Sequence, residues 1–216
     1  MPQWLFPWIF VLIGYPIGTF QTAFFVGKIF GKINIKEHGS GNAGATNVYR
    51  VMGFRHGLIV LFFDILKTII PIIILNYFLY DGRIWDITPY EAIPGLLMAF
   101  GVFLGHCFPF WMRFRGGKGV ACSLGMLIMF DPWIMFIVLG ICIVIVVLSR
   151  YISLASVTGY ISLAGVTTLR YSDYFIILAI IWVLAAIGIA THHKNIKDLF
   201  SGQEKRFNLG RKKPKE

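Results

Sequence analysis

The chain has 216 residues, 57% of them hydrophobic and only 14% charged, against about a quarter charged in an ordinary soluble domain. So little polar side chain cannot cover a water-facing surface, and lipid is the expected solvent. The net charge of +10, from 20 basic and 10 acidic residues, then points to basic loops and anionic headgroups rather than to nucleic acid.

Met1 to Gly27 carries no charge and lacks the basic start and small-residue cleavage site of a secretory signal. It reads as a retained first span, kinked at Pro16, with the roughly 20 apolar residues a bilayer core requires. Lys28 to Arg55 is polar. Gly57 to Tyr80 is the second span and Asp81 to Tyr90 a short loop. Ala92 to Met112 is the third span, followed by the basic, glycine-rich turn Arg113 to Gly119. Val120 to Phe130 is a short fourth span, ended by Asp131-Pro132. Trp133 to Leu148, Tyr151 to Leu169 and Tyr174 to Thr191 are the fifth, sixth and seventh. Ser149-Arg150 and Arg170 to Asp173 connect them. His192 to Glu216 is a basic tail. There is no internal repeat and no linker between domains, so residues 1–216 are expected to form one unit. The fold class is all-α, a polytopic membrane protein of seven transmembrane helices.

Seven spans put the termini on opposite sides, and the loop charges choose which. Segments 28–55, 113–119, 149–150 and 192–216 hold 17 basic residues. Segments 81–91, 131 and 170–173 hold only Arg83 and Arg170, beside five acids. Basic loops stay in the cytoplasm. The N-terminus is therefore expected outside and the C-terminus in the cytoplasm.

That topology gathers three polar motifs on one membrane face. Gly39 to Arg50 reads GSGNAGATNVYR. A glycine-rich backbone can turn N–H groups toward an anion, and Ser, Thr, Asn and Arg add donors. The plainer alternative is a polar loop between helices. Gly105 to Ala121 reads GHCFPFWMRFRGGKGVA, where Gly116-Gly117-Lys118-Gly119 offers backbone N–H groups around one ammonium. It is not a P-loop, because Gly119 follows Lys118 where Ser or Thr would stand, and Met112 stands where the first glycine would. His106 and Pro109 read as shaping the end of the third span. Thr191 to Phe207 reads THHKNIKDLFSGQEKRF. His192 and Asn195 share a helical face and are ligand candidates, while Lys194, Lys197, Lys205 and Arg206 read as a solvated basic end.

Other features read as structural. His193 and Asp198 form an HxxxxD pattern like that of acyltransferases with a His/Asp base, but a five-residue separation does not stack on one helix face. Asp64 and Lys67 lie inside the second span, where a lone charge costs roughly 2.5–3.5 kcal/mol. At i,i+3 they can pair, with substrate contact as the alternative. Gly14-x-x-x-Gly18 and Gly101-x-x-x-Gly105 permit close helix approach. Cys107, Cys122 and Cys142 are odd in number and match no metal spacing, and the five histidines form no HExxH pattern. Neither metal nor organic cofactor is expected.

With the three motifs in this order across seven spans, the chain resembles the bacterial acyl-phosphate:glycerol-3-phosphate acyltransferases, the PlsY family, over essentially its full length. It departs at Cys122, where the family usually has Thr, at Asp198, where a basic residue is common, and at Gly18-Thr19 in place of Gly-Ser before Pro. The resemblance implies transfer of a fatty acyl group from acyl phosphate to the 1-hydroxyl of glycerol 3-phosphate, in the bacterial inner membrane at its cytoplasmic face. It implies that Ser40, Arg50, His192 and Asn195 handle glycerol phosphate, with Gly39, Asn42, Thr46 and Asn47 shaping that pocket. Gly116, Gly117, Lys118 and Gly119 would bind acyl phosphate, and Glu204 joins the substrate-binding set. The expected partners are glycerol 3-phosphate, a long-chain acyl phosphate and membrane lipid. The general base would be a substrate phosphate, with a second pKa of about 6, or else His192. The alternatives are a transporter of a phosphorylated metabolite and an acyltransferase using acyl-CoA or acyl carrier protein.

Overall fold

The structure is a computed structural model that describes residues 8–207; residues 1–7 of the first predicted span and the tail residues 208–216 lie outside it. The described residues are helical, with no strand. The helices are α1 (Ile9–Gly18), α2 (Thr22–Gly31), α3 (Ala45–Met52), α4 (Phe54–Leu79), α5 (Ala92–Cys107), α6 (Val120–Phe130), α7 (Pro132–Ser149), α8 (Ile152–Arg170), α9 (Phe175–Thr191) and α10 (His193–Phe200). Single 3-10 turns lie at Ile35–Glu37 and Phe110–Met112.

Among the described residues, five stretches are long and apolar enough to cross a bilayer: Ile9–Gly31, Phe54–Leu79, Ala92–Met112, Pro132–Ser149 and Ile152–Arg170. A sixth is α9 with α10, bent by 56° between them. The predicted fourth span is α6, with 11 residues. At 1.5 Å per residue it rises only about 16 Å, half of a roughly 30 Å hydrocarbon core. It is short because its first turn belongs to the glycine-rich loop and its last meets the Asp131 cap. Asp131 accepts from the N–H groups of Trp133 and Ile134 and so starts α7 at Pro132.

The first span breaks, but not at Pro16. α1 runs through Pro16 to Gly18, and the chain restarts as α2 at Thr22. α1 packs closely against α5. A methyl group on Gly18 would lie 2.0 Å from the Val102 carbonyl oxygen, and one on Gly105 2.0 Å from that of Tyr15. The two small-xxx-small motifs thus face each other, with backbones in contact.

α5 is the central helix. Leu96, Leu97, Ala99, Val102 and Phe103 are buried against α1, α4, α6 and α9. The main core adds Met126, Ile134, Leu163, Ile177 and Leu184. α7 leaves Phe136, Val144, Val147 and Leu148 exposed, as a lipid-facing helix should. A second, smaller core joins Ala23, Val26, Ile35, Ala43, Val48, Val60 and Met112. It lies beneath the Gly39–Arg50 motif and gives that motif a rigid floor.

Candidate active site

The Gly39–Arg50 motif is a loop only in its first half. From Ala45 it is helix α3, anchored by buried Val48. The loop is held by Asn47, whose Oδ1 accepts from the Ser40 N–H (2.8 Å) and whose Nδ2 donates to the carbonyls of Ile35 (3.1 Å) and His38 (3.0 Å). Gly39 has φ +66°, and a methyl group there would meet Asn47 Oδ1 at 2.2 Å. Glycine is therefore required at 39 for conformation and for space.

The GGKG turn ends in the same way, on a helix. Gly119 is the N-cap of α6, and the Ser123 N–H donates to its carbonyl. Neither α3 nor α6 has a side-chain cap or an acid in its first turn. The first N–H groups of each helix therefore have no partner within their own helix. Both N-termini open on one cavity of about 140 Å³, α3 through Gly44, Ala45 and Thr46 and α6 through Gly119, Val120 and Ala121. Two helix N-termini on one small cavity form an anion site, because both macrodipoles favour negative charge there.

Arg50 and Lys118 add formal positive charge to the lining. Lys118 Nζ donates to Asn195 Oδ1. Asn195 Nδ2 donates to both oxygens of Glu204 (3.0 and 3.1 Å), and Glu204 Oε1 accepts from Ser153 Oγ (2.8 Å). The tail, the start of α8 and the GGKG turn are thereby linked. The backbone of Lys118 is also held, its carbonyl accepting from Tyr160 Oη at 2.9 Å. Burial lowers the Lys118 ammonium to a pKa of about 8, with Glu204 opposing and Arg50 adding to the effect. His192 is lowered to about 4, first by burial and then by the Lys118 charge. Its Nδ1 lies 2.8 Å from the Gly188 carbonyl. A carbonyl only accepts, so Nδ1 carries the proton and Nε2 is an acceptor. A neutral His192 therefore faces the cavity with a lone pair, suited to a hydroxyl rather than to a phosphate oxygen.

Of the sequence-predicted residues, Ser40, Asn42, Thr46, Asn47, Arg50, Lys118, Gly119, His192, Asn195 and Glu204 line this cavity. Gly39, Gly116 and Gly117 do not. The expectation that Gly116 and Gly117 cradle a phosphate needs correction, because their N–H groups are already committed. Gly116 N–H donates to the Cys107 carbonyl and Gly117 N–H to that of His106, each at 3.0 Å. His193 is exposed, and neither it nor Asp198 reaches the lining.

The sequence reading missed Leu61, Ile152, Ser153 and Ser156, read His106 as shaping the end of a span and gave Asp64 substrate contact only as an alternative; all six line the cavity. Asp64 and Lys67 do pair, at 2.8 Å and buried. Thr22 Oγ1 also donates to Asp64 (2.8 Å), and Lys67 donates to the Phe20 carbonyl and to His106 Nδ1, each at 2.9 Å. The signals were an acid inside a span and Ser153-x-x-Ser156 at the start of another.

The cavity continues into an apolar groove between α6, α7 and α8. Val120, Ile152 and Ser156 line both. Beyond them the groove is walled by Leu124, Leu127, Val138, Cys142, Ala155 and Leu163, among others. An anion-binding cavity thus opens directly onto a slot shaped for hydrocarbon.

Residues 8–202 match the model of the glycerol-3-phosphate acyltransferase family. The glycerol-3-phosphate acyltransferase of Fusobacterium nucleatum is 36% identical over 93% of this chain and 97% of its own. That of Chlorobaculum tepidum is 34% identical over 94% and 97%. The fold is similar to that of PlsY (YgiH), an integral membrane glycerol 3-phosphate acyltransferase, at 32% identity. The TM-score is 0.79 for its glycerol 3-phosphate form, covering 94% of this chain and 96% of that one. It is 0.77 for the lysophosphatidic acid form, covering 94% and 95%. With a helical, lipid-facing fold and a two-helix anion site beside an acyl-shaped groove, this chain belongs to the PlsY family of integral membrane glycerol-3-phosphate acyltransferases.

Proposed function

We propose that the acyl donor is a long-chain acyl phosphate and that the acceptor is the 1-hydroxyl of glycerol 3-phosphate. The observation that carries this reading is the junction of the α6 N-terminus with the apolar groove at Val120. A ligand placed there has a phosphate beside Lys118 and a hydrocarbon tail between α6 and α8. Glycerol phosphate takes the other half of the cavity, with its phosphate at the α3 N-terminus, Ser40 and Arg50. Asn42 and Thr46 border that half. Asn195 holds Lys118 between the two, and Glu204 and Asn47 keep the walls in register.

The chemistry then balances without an acyl-enzyme. The 1-hydroxyl oxygen bonds to the acyl carbonyl carbon, and the bond from that carbon to the phosphate oxygen breaks. Its electron pair leaves on phosphate, and the hydroxyl proton passes to a phosphate oxygen. His192 Nε2 accepts from a glycerol hydroxyl and orients it. With a pKa of about 4 it is a weaker base than a phosphate dianion of pKa about 6. The enzyme contributes position and fixed positive dipoles where charge accumulates.

We further infer that residues 1–216 act as one unit with seven crossings, α6 completing its crossing through the loops at its ends. The N-terminus lies outside and the tail in the cytoplasm, as the 17 basic residues of one loop set require. The site then faces the cytoplasm of a bacterial inner membrane, where a water-soluble and a lipid substrate meet.

Purified enzyme in detergent, given glycerol 3-phosphate with acyl phosphate, acyl-CoA or acylated carrier protein in turn, tests the donor. Phosphate release and lysophosphatidate formation with acyl phosphate alone are expected. Turnover with either other donor, or transport into sealed vesicles without acylation, would overturn the reading.

A further inference from the structure

The buried ion pair of α4 ends on a histidine that faces the cavity. Lys67 has three protons and meets three acceptors: Asp64 Oδ1, the Phe20 carbonyl and His106 Nδ1. An ammonium has no lone pair, so the imidazole nitrogen facing it must accept. The ring proton of His106 is therefore on Nε2, and the ring is neutral. His106 Nδ1 lies 3.9 Å from Asp64 Oδ1, too far for a hydrogen bond between them.

Nε2–H has no protein acceptor among the described residues, although the side chain is only 3% exposed. The ring lines the cavity. An Nε2–H that no protein atom accepts, on a ring that lines a cavity, is available to donate to a ligand atom. Gly117 makes room for it. A methyl group on Gly117 would sit 2.0 Å from His106 Nε2, so only glycine can pack against that edge of the ring without blocking it. The cavity that His106 lines is also lined by Lys118 and by the first turn of α6.

We propose that His106 is a further catalytic residue, whose Nε2–H donates to an anionic oxygen of the acyl phosphate at the α6 N-terminus. The proposal rests on the acyl-phosphate reading above. As the carbonyl carbon leaves it, the phosphate gains charge, and the hydrogen bond from His106 strengthens. Lys67 behind the ring draws electron density from it and makes Nε2–H a better donor. Asp64 balances the Lys67 charge, and Thr22 aims Asp64. The His106 carbonyl accepts from Gln21 Nε2 and from Gly117 N–H, each at 3.0 Å, so ring and turn are fixed together. No proton leaves His106; the hydroxyl proton still passes to a phosphate oxygen.

Two amides separate the two edges of the ring. In His106→Asn the amide oxygen can replace Nδ1 as acceptor for Lys67, but nothing reaches the Nε2 position. In His106→Gln the amide nitrogen reaches the Nε2 position, and the Nδ1 acceptor is lost. With palmitoyl phosphate as donor, His106→Asn should lower kcat by about 10²-fold, the scale of one lost oxyanion donor, with KM for glycerol 3-phosphate unchanged. His106→Gln should retain most of kcat. A histidine that served only to hold Lys67 would give the opposite order. That order, or equal losses, overturns the proposal. A wild type inactive with palmitoyl phosphate would instead overturn the donor reading.

A measurement on the intact wild type covers the case in which neither variant folds. Nitrogen-15 NMR of labelled histidine should report His106 as the Nε2–H tautomer. Its Nε2 signal should move when a non-hydrolysable acyl phosphonate saturates the enzyme. A signal unmoved at saturation overturns the proposal.

Discussion

Lys118 and His192 are held at pKa values of about 8 and about 4, and the pH–rate profile should separate their roles. Lys118 must be charged to hold phosphate. With a pKa of about 8, about nine-tenths of the free enzyme is competent at pH 7 and about one-tenth at pH 9. Hence kcat/KM should fall about tenfold per unit above pH 8, and kcat, which reports the complex, should fall later because bound phosphate raises the Lys118 pKa. On the acid side the two candidate bases differ. A substrate phosphate puts the limb near 6, whereas His192 would put it near 4. The assay is initial-rate phosphate release from acyl phosphate, corrected for spontaneous hydrolysis at each pH. Lys118→Arg should carry the alkaline limb out of range, since a guanidinium stays charged. Stability should move the other way. The folded Lys118 pKa lies below the ordinary 10.5, so between these values the unfolded chain binds more protons and unfolding free energy rises with pH. A thermal-unfolding series should show that rise in wild type and not in Lys118→Met. A flat alkaline limb through about pH 9 would refute the role of Lys118 as a charged phosphate ligand, and an acid limb near 4 would restore His192 as the base.

Four substitutions extend the argument. His192→Gln keeps an acceptor and should turn over at near wild-type rate when glycerol 3-phosphate saturates; His192→Ala should lose about 0.5–1.5 kcal/mol of orientation, read as a rise in KM. Asp198→Asn should leave kcat and binding unchanged, because Asp198 does not line the cavity; a large kcat loss with intact binding would reinstate the His/Asp pair. Gly116→Ala should lose about 1–3 kcal/mol of stability together with activity, since the new methyl group would meet the His106 carbonyl at 2.1 Å and Pro109 Cδ at 2.6 Å. Asp64→Asn leaves Lys67 charged without its counterion and should cost about 3–5 kcal/mol in thermal unfolding.

What the sequence made legible followed from two physical regularities. Apolar length located five spans and a bent sixth among the described residues, with the predicted fourth span a short helix, and loop charge grouped the three motifs, ten of whose predicted site residues do line one cavity. The rest depended on tertiary neighbours. The GSGNAGATNVYR stretch looked like a loop because its glycines and asparagines dominate. Its helical half becomes visible only once Val48 is seen to enter a small core with Ile35 and Val60. The glycines of GGKG looked like a phosphate cradle because N–H direction cannot be read from residue type. In the fold those of Gly116 and Gly117 point back at the end of α5. Ser153 and Ser156 show in the sequence only as a Ser-x-x-Ser pair at the start of a span; in the fold both line the cavity, and Ser153 donates to Glu204.

The same comparison changes the meaning of the charges inside the membrane. An ion pair that only compensated itself would be neutral at best, since apolar residues of similar volume often serve as well or better. Asp64 and Lys67 do more than compensate. Their hydrogen bonds reach the α1–α2 break at Phe20 and Thr22, and His106 at the end of α5. His106 in turn fixes Gly117, next to Lys118 and the first turn of α6. The route from the interior of α4 to the anion site, through Asp64, Lys67 and His106, is therefore continuous and polar. A charge placed there for stability alone would have no need to set the tautomer of a cavity-lining histidine.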